Sequence, residues 1–276
     1  MSLSVHTNQS ALLALQNLNK TQEDLGQVQT RISTGLMINS AKDNASVWAI
    51  AQGQRADIGA LNSVKMSLNR AKSIADVSAT AGQTVSDLLV QLKEKVVAAM
   101  DTSIDTASRT ALDSDFKALL RQITQVTSNA SFDGANLLDG SLPTNLKFLA
   151  NADANSYITL SNQNLSLGGA IITIPSTASL GTVTISTGVL AQLTASITKT
   201  NQALGNLGSQ TKQLEAHADF VSKLTDTLTA GVGNLVDADL AKESARLQAL
   251  QVQQQLGTQA LSIANQAPQI ILQLFK

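Results

Sequence analysis

The chain has 276 residues, a formal net charge of −1 and no cysteine, which excludes disulfides, thiolate metal sites and cysteine nucleophiles and argues against a nucleic-acid partner. Charged residues are only 14%, against about 25% in typical proteins, a deficit expected of a surface that other subunits cover. Aromatic residues are 3%, which argues against a pocket for a planar cofactor or sugar; no cofactor is expected. No apolar run reaches the 18 residues of a membrane span, so no membrane insertion is expected. Met1 to His6 lacks a basic region followed by an apolar core, so no cleaved signal peptide is expected either.

Residues 10 to 33 carry Leu12, Leu15, Leu18, Leu25, Val28 and Ile32 on one face of an amphipathic helix, with Gln, Asn and a few charges opposite. Gly35 breaks the pattern. Asn39, Ser40 and Asp43 are capping residues for a new helix through Ala45, Val47, Trp48 and Ile50, so an elbow is expected near residues 34 to 43.

Residues 61 to 99 hold an unbroken 3-4 alternation: Leu61, Val64, Leu68, Ala71, Ala75, Ser78, Gly82, Val85, Leu89, Leu92, Val96 and Ala99. This spacing predicts a coiled-coil seam on a helix roughly 58 Å long, which needs partners to bury its stripe. Residues 112 to 130 repeat it with Leu112, Phe116, Leu119, Ile123, Val126 and Ala130, after a short polar gap that lets the segment fold back antiparallel. Residues 190 to 235 repeat it again with Leu190, Leu193, Ile197, Leu204, Leu207, Leu214, Ala218, Val221, Leu228, Val232 and Leu235, diluted by Thr200, Thr211 and Thr225. An ordinary helical bundle would explain these three seams alone; the two ends of the chain point beyond it.

Between residues 141 and 189 the period changes to two. Tyr157 to Ser161, Leu165 to Leu167, Ile172 to Ile174 and Val183 to Ile185 alternate apolar and polar, and Pro143, Pro175, Gly168, Gly169 and Gly181 punctuate them. Short strands are predicted, leaning on the end of the helical rod because so small an insert carries little core. Its hydroxyls Thr173, Ser176, Thr177, Ser179, Thr182, Thr184, Ser186 and Thr187 are candidate O-glycosylation sites.

At the C-terminal end, Asp237 and Asp239 are N-cap and first-turn acids for a helix bearing Leu240, Leu247, Leu250, Val252, Leu256, Leu261, Ile263, Ile270, Ile271 and Leu274 on more than one face. Beyond Glu243 the only charges are Arg246 and Lys276, while Gln recurs. Such a helix has no comfortable exposed state and is expected to be buried in a larger assembly.

Nothing points to catalysis. His6 and His217 have no neighbours at metal-ligand spacing, and Asp113-x-Asp115 and Asp237-x-Asp239 lack the Gly and Glu of a calcium loop, so no metal site is expected. Gly168-Gly169 does not open a helix as a phosphate-binding loop would. The chain therefore divides into an N-terminal arm (1–41), rod helices (42–140), a surface insert (141–189), a returning rod helix (190–235) and a C-terminal arm (236–276). The fold class is mainly α: a long antiparallel coiled-coil rod, N- and C-terminal helical arms, paired if the family likeness that follows holds for them, and a small β-hairpin insert.

The stretch Arg31-Ile32-Ser33-Thr34-Gly35-Leu36-Met37-Ile38-Asn39-Ser40-Ala41-Lys42-Asp43-Asn44-Ala45, followed by Ala49-Ile50-Ala51, resembles the N-terminal motif of bacterial flagellins. Asp237-Ala238-Asp239-Leu240-Ala241-Lys242-Glu243, Leu256-Gly257 and Ala264 to Gln269 resemble the C-terminal one, and Phe132-Asp133-Gly134 through Asp139-Gly140 the turn before the variable middle. The likeness covers all but roughly residues 141 to 189, with Met37, Val47 and Trp48 departing from the common pattern. It implies a filament subunit that polymerises with copies of itself, exported unfolded, with a chaperone, a cap protein and hook-junction proteins as partners. In the family the arms pair as an inner coiled coil. A hook-filament junction protein or another secreted rod-and-arm protein is the alternative. Gln91, Lys93 and Glu94 fall where flagellins present a cluster to a toll-like receptor; Gln91 replaces an arginine there, so weak recognition is expected.

Overall fold

In the computed structural model, residues 8–274 are described, with side chains up to Gln266. Helices α1 (Gln9–Thr34), α2 (Ala45–Ala99), α3 (Thr106–Asn129), α4 (Val183–Val236) and α5 (Leu240–Leu274) make the chain mainly helical. Two hairpins lie between α3 and α4: β1 (Ser131–Phe132) with β2 (Ala135–Asn136), and β3 (Leu146–Leu149) with β4 (Tyr157–Leu160). The contacts divide the chain into one unit of residues 1–56 with 227–276, and a second of residues 57–226.

In the first unit, α1 starts on Asn8, whose side chain accepts from Ala11 N, and stops at Gly35, whose φ of +73° suits a residue without Cβ. The elbow that follows is organised by Asp43. Its Oδ2 accepts from Asn39 N at 3.1 Å, Ser40 N at 3.0 Å and Ser40 Oγ at 3.2 Å, while Asn44 Oδ1 caps α2 through Val47 N. The break between α4 and α5 lies against this elbow: Met37 N donates to Val236 O at 2.7 Å and Ala238 N to Gly35 O at 2.9 Å, around an isolated antiparallel bridge of Leu36 with Asp237. Asp239 Oδ1 then caps α5, accepting from Ala241 N and Lys242 N. From there α5 packs on α1.

In the second unit, all twelve α2 seam positions from Leu61 to Ala99 are buried, Ser78 and Gly82 included. Ile74, Ser86 and Leu88 are buried as well, because α2 is covered on two sides. On one side lies α3, tied by Lys95 to Asp115 and by Arg109 to the carbonyl of Ala99. Its buried face is Phe116, Leu120, Ile123 and Thr127, so Leu119 and Val126 are only half-buried. The face is rotated by about one residue from an apolar-only reading because Thr127 is a core position, its hydroxyl donating to Ile123 O and Thr124 O.

The other side is α4, whose faces contain a similar correction. Leu193, Thr200, Leu207, Leu214 and Val221 are buried, but the positions that alternate with them are Val189, Ser196, Ala203, Gln210 and His217, while Ile197, Leu204 and Ala218 are half-buried. Three of these, Ser196, Gln210 and His217, bond the insert: Thr173 N donates to Ser196 Oγ at 3.1 Å, Ser161 N to Gln210 Oε1 at 2.9 Å, and His217 Nε2 lies 2.7 Å from Ala150 O.

The insert therefore runs along the flank of α4 and does not sit at the end of the helices. It has its own core of Leu137, Leu138, Leu160, Leu165, Ile172, Ile174 and Leu180, each at most 1% exposed. Two further expectations change. Leu165 to Leu167 and Ile172 to Ile174 are irregular, their backbone held by Gly168 N to Ile174 O and by Ser196 in place of a neighbouring strand. Val183 to Ile185 is helical, so α4 begins seven residues before position 190: Thr182 O accepts from Ser186 N, and Val183, Ser186, Val189 and Leu193 share a helical spacing.

Candidate assembly surface

The pairing of α1 with α5 is built from two interlocking heptad rows. Ala11, Ala14, Leu18, Thr21, Leu25, Val28 and Ile32 line α1, and Glu243, Leu247, Leu250, Gln254, Gly257, Leu261 and Ala264 line α5; every one is buried or half-buried. Gly257 lets the helices approach, since a Cβ there would lie 3.3 Å from Leu18 Cδ1. At the outer end Asn8 Nδ2 donates to Ala264 O at 2.7 Å. At the inner end Arg31 reaches Glu243 at 3.3 Å, with both side chains largely buried.

This seam uses only part of the apolar surface. Of the arm residues predicted to pair, Leu18, Val28 and Leu250 are buried and Leu25, Ile32, Leu247 and Leu261 half-buried, but Leu12, Leu15, Leu256 and Ile263 point outward. Ile263 is 69% exposed and Leu256 59%, and Leu13 and Val252 join them. Ile270 and Leu274 lie outside the described side chains. Ala11, Ala14, Thr21, Glu243, Gln254, Gly257 and Ala264 join the seam without a large apolar side chain, and the unbroken 3-4 spacing of small and polar residues is the signal that marks them. Between the helices lies a groove of about 480 Å³ walled by Leu13, Ala14, Leu18, Leu256 and Ala260. Burying one large apolar side chain stabilises by about 1.5 to 3 kcal/mol, so the outward residues are a strong drive to associate.

The electrostatics are sparse. Asp43 has its carboxyl held below the usual carboxylate range, first by the Ser40 N–H it accepts. In the second unit, burial pushes the Asp113 carboxyl up, but Lys117 and the N–H of Leu180 outweigh it and leave it lowered. Gln91, Lys93 and Glu94 are exposed on α2. Among the candidate modification sites, Ser176, Thr177, Thr182, Thr184 and Thr187 are exposed and Ser179 is half-buried. Thr173 is half-buried beside Ser196, and Ser186 is fully buried with its hydroxyl donating to Thr182 O, so Ser186 is not an accessible site. Among the described residues no helix is long and apolar enough to cross a membrane.

Paired terminal helices that keep a second set of large apolar residues outside the pair belong to the class of helical structural proteins with an unpartnered apolar face. The bacterial flagellin N-terminal helical region matches residues 5–142, and the C-terminal helical region matches residues 190–275. The chain belongs to the bacterial flagellin family. It is 55% identical to flagellin FljJ of Caulobacter vibrioides over 100% of this chain and 99% of that one, and 37% identical to a flagellin of Brucella melitensis over 99% of each. Among solved structures, flagellin of Bacillus cereus shares the fold with a TM-score of 0.50 at 19% identity, over 60% of this chain and 94% of that one. A flagellar hook-associated protein described for Vibrio parahaemolyticus gives 0.60 at 12% identity, over 71% and 100%.

Proposed function

We propose that this chain is a structural subunit of the bacterial flagellar filament, and that the outward apolar residues of the arms are the surface through which copies assemble. The observation that carries the assembly reading is the exposure of Leu12, Leu13, Leu15, Val252, Leu256 and Ile263 on a helix pair already formed. Full-length relatives with flagellin names support the filament, and nothing favours the hook-junction alternative. The chain is read as an exported protein whose partners beyond itself are an export chaperone, a cap protein and hook-junction proteins. Weak toll-like receptor recognition is read from Gln91, and O-glycosylation is proposed for Thr173, Ser176, Thr177, Ser179, Thr182, Thr184 and Thr187, of which the exposed Ser176, Thr177, Thr182, Thr184 and Thr187 are the most accessible.

Electron microscopy of the purified protein tests this reading. Long uniform filaments are expected from the full chain, and none from a chain lacking residues 240 to 276, which should nevertheless stay helical and unfold cooperatively. Full-length protein that never polymerises, or truncated protein that does, would sink it. Amides of α1 and α5 should gain protection from exchange on passing from the dilute chain to the filament. Native protein whose intact mass equals the sequence mass would rule out glycosylation.

A further inference from the structure

We infer that the Arg31–Glu243 ion pair is the register key of the arms: the residue-specific contact that sets which heptad of α1 faces which heptad of α5. The inference starts from a degeneracy. Both rows of the seam repeat by alternating steps of three and four, and both mix small, hydroxyl and aliphatic residues, so sliding one helix by seven residues again meets a row of similar character. Between Leu247 and Gln266, α5 carries no charge that could tell one register from another.

Arg31 and Glu243 remove that degeneracy. A slide of one heptad in one direction sets Glu243 against Asp24 and carries Arg31 beyond the start of α5; in the other it sets Arg31 against Leu250 and carries Glu243 beyond the end of α1. The first slide opposes two carboxylates and the second sets an arginine against the buried Leu250, and both break the ion pair. The native pair is itself imperfect. Arg31 Nε and Glu243 Oε2 are buried and make no hydrogen bond among the described residues, which is a poor arrangement for stability and a serviceable one for specificity. Main-chain bonds of Met37 to Val236 and Ala238 to Gly35 tie the same end of the arms, but they carry no side-chain identity.

The absence of cysteine gives a clean background for a test. A Cβ at position 257 would lie 3.9 Å from Leu18 Cβ, inside the disulfide range of about 3.5 to 4.5 Å. Leu18→Cys with Gly257→Cys therefore reports the native register, and Leu18→Cys with Leu250→Cys or with Ala264→Cys reports the two slipped ones. With Arg31 and Glu243 present, only the first reporter should oxidise efficiently within one chain. In an Arg31→Met, Glu243→Leu background, one or both slipped reporters should rise to comparable yield, and the exchanged pair Arg31→Glu, Glu243→Arg should restore the native reporter alone.

An uncharged background that still cross-links only at 257 would overturn the inference and assign register to the main-chain bonds. So would an exchanged pair that cross-links at 250 or 264. Should the uncharged variant not fold, Arg31→Glu alone, which sets two like charges opposite each other, should raise the slipped reporters, and cross-linking at 257 alone would overturn the inference. The inference rests on the filament reading for its consequence, which is that slipped arms give irregular polymers. Cross-links are read on the unassembled chain, so failure to polymerise counts against the filament and not against the register key.

Discussion

Lys72 Nζ lies 2.8 Å from Glu215 Oε1, joining α2 to α4 across the edge of the central seam. Lys65 with Ser222 and Ser86 with Asn201 repeat the contact one heptad before and two heptads after, and the α4 partners step back by the same intervals. Both Lys72 and Glu215 are about half exposed, so their attraction is screened and marks the antiparallel register more than it holds the fold. The Lys72 ammonium has its pKa raised, chiefly by its hydrogen bond to Glu215. Lys72→Ala should lower thermal stability slightly at low ionic strength and not at all in high salt; an equal loss in both would mean that the lysine stem, not its charge, carries the effect.

Gly82 occupies a seam position where a Cβ would come within 2.5 Å of Leu204 Cδ2 and 3.7 Å of Leu165 Cδ1. Helix α4 and the insert meet α2 so closely there that any side chain would have to displace Leu204. Gly82→Leu should destabilise by about 1 to 3 kcal/mol through overpacking, read from urea unfolding, and adding Leu204→Ala should recover part of the loss.

The rotated face of α3 separates two adjacent leucines. Leu120 is 1% exposed while Leu119 is half-buried. Leu120→Ala should cost about 2 to 5 kcal/mol, and Leu119→Ala clearly less; equal losses in denaturant titrations would contradict the packing.

Asp113 ties α3 to the insert, its Oδ1 accepting from Leu180 N at 2.7 Å and its Oδ2 2.7 Å from Lys117 Nζ. Because its folded pKa is lowered from 3.8, the stability it contributes is present above that value and is lost as pH falls through the lower, folded one. Unfolding titrations should show stability dropping as pH falls below about 4. Asp113→Asn should be less stable at neutral pH and show a shallower acid slope, and an unchanged slope would place the acid sensitivity elsewhere.

The amino-acid sequence by itself determined the helices apart from the first turns of α4, the elbow, the α2 seam and the family, because heptad spacing, capping residues and the motifs at both ends are local and survive without coordinates. Spacing could not tell a polar seam position from an exposed one. Ser196, Gln210 and His217 lie on the buried side of α4 because the insert satisfies their hydrogen bonds, and Thr127 is a core residue because α3 accepts its proton. Only tertiary structure decided the α4 positions, since a hydroxyl, amide or imidazole is buried at little cost only when a partner is in place, and theirs come from another segment. The same holds for the arms. Leu12, Leu15, Leu256 and Ile263 share the apolar character of the pairing face, but Thr21 and Gly257 take seam positions beside Leu18 and Leu250, and the helices approach closely at Gly257, which leaves those four outside the pair.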